Sequence, residues 1–198
     1  MKYFYDTEFL ENGQTIDLIS IGIVADDGRE YSAVCSEVGE GPLHKRICER
    51  SWLMDHVVPH LPLRTGWDGK PVYKTGRAQY PGSFSLDCDD PRVLPRWVIA
   101  KQVRAFLLAA PDPQLWAYYG AYDHVALCQL WGRMVDLPQG IPMFTNDLKQ
   151  EAVRLGCPEL PAQVGEALGD GKHDALADAR WNRDVCAFLA QIDVGRCR

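Results

Sequence analysis

Three stretches of the chain place acidic or imidazole side chains where they could act on one substrate. The first is Asp6-Thr7-Glu8, which closes the short aromatic run KYFYD. In a strand, residues i and i+2 point to the same face, so both carboxylates would project together. Paired negative charge at the end of an apolar run is costly unless a cation compensates it. Hard oxygen ligands of this kind suit Mg²⁺ or Mn²⁺. Taken alone the triplet is weak, because a solvated strand end explains it as well. The second stretch is Tyr119-Gly120-Ala121-Tyr122-Asp123-His124. There the strand-like LWAYY runs into a helix whose first turn carries Asp123, and open α/β sheets place ligands at such strand ends. His124 should point elsewhere on that helix and is read as structural. The third stretch is His173-Asp174-Ala175-Leu176-Ala177-Asp178, entered through Gly169, Asp170 and Gly171. His173 falls at a helix start and Asp178 little more than one turn inside, while Asp174 caps or charges the first turn.

The elements that must position these residues follow from turn signals and periodicity. Asn12-Gly13 separates the first run from TIDLISIGIVA, and Asp27-Gly28 separates that from EYSAVCS. Two such turns between β-type runs imply an antiparallel meander of three strands. A helix is expected from Glu49 to Val58, stopped by Pro59 and Pro62. From Arg64 to about Pro95 the chain is rich in Gly, Pro, Asp and Tyr, which reads as an inserted loop or lid. Its Arg64, Lys70, Lys74 and Arg77 could meet a substrate backbone, although a solvated loop or subunit contact explains them equally. WVIAKQVRAFLLA has helical spacing, LWAYY reads as a buried strand, and AYDHVALCQLWGRM follows as a helix. Further helices are expected over Asn146–Leu155 and from His173 or Asp174 to about Leu189. The order describes one α/β domain over residues 1–198 of ribonuclease H-like type. It would have a mixed central sheet, a three-strand antiparallel meander then alternating helix and strand, flanked by helices.

Composition narrows the functional classes. The 198 residues are 46% hydrophobic and 24% charged, enough for a core without disulfide help. No apolar run approaches the roughly 20 residues of a membrane span. MKYFYDTEF lacks the apolar stretch of a secretory signal, so a cytoplasmic protein is expected. Cys35, Cys48, Cys88, Cys128, Cys157, Cys186 and Cys197 form no CxxC pair and read as reduced thiols. The net charge of −6 argues against a protein that coats nucleic acid, but not against an enzyme working on one strand end. His56 and His60 have a metal-ligand spacing, yet Pro59 interrupts the helix and no third ligand accompanies them. Trp97, Trp116 and Trp131 lie in apolar runs and are expected as core or interface anchors.

Together, YFYDTEF, TIDLISIGIVADDGREY, LWAYYGAYDHVALCQLWG and HDALADAR resemble the bacterial ribonuclease AS family of 3′-5′ exoribonucleases, within the DEDDh exonucleases. DTE and HDALADA are shared across that superfamily, and GAYDHVALCQLWG singles out the branch. The resemblance covers the N-terminal sheet and most of the second half, and leaves the 64–95 stretch unaccounted for. It implies that Asp6, Glu8, Asp123 and Asp178 hold two Mg²⁺ or Mn²⁺ ions and that His173 is the general base. The chemistry agrees, since two cations about 3.5–4 Å apart can activate water and relieve the leaving 3′-oxygen. An imidazole with an ordinary pKa near 6.5 is suited to take the proton. The resemblance further implies a homodimer acting on the 3′ end of single-stranded RNA, adenylate-rich tails included, and releasing nucleoside 5′-monophosphates. Thr7, Phe9 and Leu18 would hold the terminal nucleotide, although Phe9 and Leu18 are also ordinary core types. Two alternatives stay open: an oligoribonuclease or DNA 3′-5′ exonuclease on the same fold, and a catalytically silent RNA-binding module.

Overall fold

The computed structural model describes residues 1–74, 82–160 and 172–196. Strands β1 (Lys2–Glu11), β2 (Ile16–Ala25) and β3 (Glu30–Cys35) form the expected antiparallel meander. The first turn is held by the Asn12 side chain, whose Oδ1 accepts from the backbone N–H of Gln14 and Thr15 at 2.9 and 2.8 Å. Gly13 (φ 81°) and Gly28 (φ 87°) supply the left-handed conformations that the two turns require.

Three short parallel strands complete a mixed sheet. β6 (Val93–Leu94) adds beside β3, β7 (Gln114–Ala117) beside β1, and β8 (Asn146–Asp147) beside β7. The resulting order is β6-β3-β2-β1-β7-β8, which places β1 inside the sheet. Both of its faces are covered. Tyr3 and Tyr5 enter a core with Ile21, Ile23 and Ile99, while Phe4 enters a second core with Leu148, Val185 and Leu189. Alternation along the strand therefore puts Asp6 and Glu8 in the Phe4 row, toward the last helix.

The helices depart from expectation in places. The segment after β3 holds two short helices, α1 (Gly41–Cys48) and α2 (Ser51–His56), followed by a 3₁₀ turn over Val58–His60. Pro42 at the start of α1 is pre-set for a helix, a signal that propensity-based reading passed over. Helix α3 (Arg96–Leu107) buries Ile99, Ala100, Val103 and Leu107 and leaves Trp97 71% exposed. Trp97 is thus no core anchor, because helical period puts it on the opposite face; Trp116 and Trp131 are partly buried against the cores. Helix α4 (Ala121–Cys128) stops well before Met134, and Asn146–Leu155 divides into β8 and helix α5 (Leu148–Arg154). The Asp147 side chain accepts from Gln150 N and caps α5. Helix α6 (Ala175–Arg196) runs past Leu189.

Within the 64–95 stretch, β4 (Tyr73–Lys74) pairs antiparallel with β5 (Ser83–Phe84), and a bridge joins Leu63 to Leu86. Phe84, Leu86 and Val93 are buried in the main core. Arg77, Gly169, Asp170, Gly171 and Cys197 lie outside the described residues. No described helix is long and apolar enough to cross a membrane.

Three contacts dock α6 across the meander. Asn182, 1% exposed, donates from Nδ2 to the Tyr5 carbonyl at 2.9 Å. Arg180 reaches β3, its Nε donating to Glu30 at 2.8 Å. The helix start lies on Gly22, where an added Cβ would stand 2.3 Å from the Ala175 carbonyl oxygen. Gly22 pairs with Asp6 in the β1–β2 register, so that glycine decides how close α6 comes to the acidic strand. Gly22→Ala should destabilise the protein by roughly 1–3 kcal/mol, the usual cost of overpacking. Urea unfolding at equilibrium checks this, with a lower midpoint at unchanged slope expected.

Candidate active site

Asp6 and Glu8 leave β1 on the face that α6 covers, and Asp178 meets them from the first turn of that helix. One carboxylate oxygen from each of the three lies within 4.8 Å of the others. The β1–β2 register shifts between Glu8 and Phe9, a bulge of the kind that re-aims side chains beside functional sites. Asp123 comes from the first turn of α4, after a tight β7–α4 connection. Tyr119 there has φ 56°, and a Cβ on Gly120 would sit 2.6 Å from that of Ala117. The Gly120 N–H donates to the Asp147 carboxylate at 2.9 Å, which pins this turn to the next helix cap.

Asp123 stands outside the 4.8 Å group, but its charge acts on Asp6, Glu8 and Asp178. Its Oδ1 accepts from the Thr7 N–H at 2.9 Å and from the Thr7 hydroxyl at 2.7 Å. The four carboxylates line one cavity of about 270 Å³ together with Thr7, Phe9, Tyr118, His173, Trp181 and Asn182.

His173 precedes α6 with φ 68°, a left-handed conformation that is uncommon outside glycine. Its N–H donates to Asp178 Oδ2 at 2.9 Å, and its Nδ1 stands 3.9 Å from Glu8 Oε1. Asp174 Oδ1 accepts from Leu176 N and Ala177 N at 3.0 Å, so it caps the helix. His124 is turned away, between the Tyr5 hydroxyl at 3.4 Å and Cys128 Sγ at 3.5 Å.

Leu18 pairs with Phe9 across the strands and is 0% exposed, packed in the main core. Thr7 is buried, and its N–H and hydroxyl both donate to Asp123. Phe9 keeps an exposed edge and stacks on Tyr122 with ring centroids 6.0 Å apart. Sequence reasoning missed Trp181 and Asn182, although they follow Asp178 by three and four residues and so share its helix face. It also missed Trp52 and His56, whose rings contact His173 from more than a hundred residues away.

Burial and mutual repulsion govern the electrostatics. Desolvation, then the charges of Asp123, Glu8 and Asp178, push the Asp6 carboxyl well above its ordinary range. Burial and neighbouring carboxylates push Glu8 up to about 8 and Asp178 up to about 6. Burial also raises Asp123, against the lowering effect of the Thr7 hydrogen bonds. Desolvation, then the charges of His56, His60 and Lys172, lower the His173 pKa below its ordinary value. An oxygen-only donor set with unrelieved negative charge fits a hard divalent cation, whose binding would drive off the shared protons.

The sign of the pH dependence follows. Carboxyl groups whose folded pKa is raised leave stability intact below the ordinary carboxylate range and remove it as pH climbs through the folded values. The metal-free protein should therefore lose thermal stability as pH rises from about 4, the decline levelling off as Asp178 and then Glu8 ionise. Saturating Mn²⁺ should flatten that decline, because a cation bound to the native state alone stabilises it more as protons leave. Thermal melts in EDTA and in Mn²⁺ across this range measure both effects.

No protein-family model matches the sequence. Over 184 residues the chain is 42% identical to a 3′-5′ exoribonuclease of Mycobacterium tuberculosis, found in two strains of that organism. The alignment covers 91% of this chain and 88% of the relative. The similarity therefore extends along nearly the whole of both chains. This chain belongs to the family of those mycobacterial 3′-5′ exoribonucleases.

Proposed function

We propose that the protein is a metal-dependent 3′-5′ exoribonuclease of the DEDDh class, built on a ribonuclease H-like fold. It removes nucleoside 5′-monophosphates from the 3′ end of single-stranded RNA, adenylate-rich tails among its substrates. The carrying observation is the single cavity of about 270 Å³ that gathers Asp6, Glu8, Asp123, Asp178 and His173. The name of the mycobacterial relatives supports the polarity and the RNA substrate. Asp6, Glu8 and Asp178 would hold divalent cations, Mg²⁺ or Mn²⁺, with Asp123 completing the set for a second ion. When bound, the ions supply positive charge for the phosphate and for the leaving 3′-oxygen.

The chain's own residues do the rest. His173, kept neutral by its surroundings, accepts the proton of the attacking water near neutral pH. The two Thr7 donors hold the Asp123 carboxylate in one orientation, so it need not reorganise when substrate arrives. The exposed edge of Phe9, backed by Tyr122, offers an aromatic surface on which a terminal base can stack whatever its identity. A cytoplasmic homodimer completes the reading. Val125, Met134, Val135, Met143 and Phe144, all exposed on or after α4, provide apolar surface for the dimer.

Single strands labelled at the 5′ end, A-rich RNA beside mixed RNA and matched DNA, test the proposal. A ladder shortening from the 3′ end in Mn²⁺, strongest on RNA and abolished by EDTA, is expected. Absence of shortening on every strand with metal present would favour a silent binding module. Equal shortening of DNA would move the substrate class. Asp6→Ala and Asp178→Ala should abolish turnover. His173→Ala should cost about 10²–10⁴-fold in kcat with Mn²⁺ affinity nearly unchanged, as measured by calorimetry.

A further inference from the structure

We infer that Trp52, together with His56, is a positioning residue for His173: their rings form a ledge on α2 that fixes the imidazole over the acidic cluster. The inference rests on the reading of His173 as the group that takes the proton from water.

The imidazole needs such a support. The His173 backbone is anchored through its N–H to Asp178, but among the described residues neither ring nitrogen has a hydrogen bond. Glu8 Oε1 stands 3.9 Å from Nδ1, too long for a hydrogen bond. A general base is ordinarily oriented by a partner on its second nitrogen. Here aromatic packing takes that place. The Trp52 and His56 rings are stacked, with centroids 5.0 Å apart and planes 14° from parallel. The His173 ring stands edge-on to both, 4.8 Å from Trp52 at 77° and 5.9 Å from His56 at 89°. Edge-to-face geometry is favourable for aromatic rings and specifies an angle as well as a distance.

The ledge is itself fixed. Residues 52 and 56 are four apart on one helix face. His56 Nδ1 lies 2.9 Å from the Trp52 carbonyl oxygen, which holds the second ring in register with the first. Leu53, buried in the main core, and Met54, packed against it, tie α2 to the fold. The ledge thus carries the position of the main core to a ring whose own backbone is left-handed.

Trp52 is half exposed and also lines the adjoining cavity of about 350 Å³ with Glu8, Phe9, Arg50 and Leu53. Stacking on a nucleotide base would explain that exposure too, and the two roles move different constants. A base contact acts on substrate binding, whereas a positioning contact acts on turnover.

Steady-state kinetics on an RNA oligonucleotide separate them. Trp52→Ala should lower kcat roughly 10- to 100-fold, the scale of a misplaced reacting group, with KM changed less than about two-fold. Trp52→Phe should recover most of the rate, because the edge-to-face contact survives. In a His173→Ala background, Trp52→Ala should have no further effect, since both act through one group. The His173 ring protons, which lie within the ring-current field of the indole in wild type, should shift in Trp52→Ala when followed by NMR. A raised KM at unchanged kcat, or an undiminished effect of Trp52→Ala without His173, would overturn the inference while leaving the exonuclease reading intact. A wild-type protein with no turnover would overturn that reading, and the inference with it.

Discussion

Four carboxylates share one cavity beneath a helix, and their mutual repulsion is the constraint on which the surrounding structure turns. Asp6, Glu8 and Asp178 approach within 4.8 Å of one another while largely withdrawn from water. Such a cluster does not assemble on its own account, because desolvation and like charge both oppose it. It exists because the fold forces the elements together. β1 is inside the sheet with both faces covered, so its acidic end cannot rotate away. The Asn182 amide and the bare surface of Gly22 bring α6 down on that strand at the height where Asp178 faces Asp6. Thr7 spends both donors on Asp123 and removes the fourth carboxylate's freedom. Stability gained in the two cores holds the site in an arrangement that only a cation or bound protons can relieve.

That tension links charge to function. An apo cavity with raised carboxyl pKa values is a poor place for a phosphate, and the chain carries a net charge of −6. Occupied by divalent ions, the same cavity attracts the phosphate it would otherwise repel. Substrate binding would thereby be conditional on the ions proposed to assist the chemistry. The His173 corner differs in kind. Burial and neighbouring positive charge lower the pKa of its imidazole, which packs against rings rather than a hydrogen-bond partner.

Much of this was legible in the residues. Asn12-Gly13 and Asp27-Gly28 mark both turns of the meander, and strand alternation puts Asp6 and Glu8 on one face. Asp123 and Asp178 were placed by their position in first helical turns. What escaped has physical reasons. β6 and β8 are two residues long, and their pairing depends on neighbours distant in sequence. α1 begins with Gly-Pro, which reads as a turn until Pro42 is taken as a helix start. Trp97 looked like core by hydrophobicity, although the spacing of Ile99, Val103 and Leu107 turns it outward. The burial of Leu18 and the Thr7–Asp123 hydrogen bonds depend on packing across strands and helices that residue type alone does not report. The contact of Trp52 and His56 with His173 has no local signature at all.

The central claim, that this buried cluster is a divalent-cation site, is tested most directly by crystals grown or soaked in Mn²⁺. The anomalous difference map would be measured at a wavelength above the manganese edge. The account predicts strong peaks within about 2.1 Å of carboxylate oxygens of Asp6, Glu8 and Asp178, in the spacing hard cations require. A featureless cavity at saturating Mn²⁺, with the four carboxylates unmoved, would contradict it.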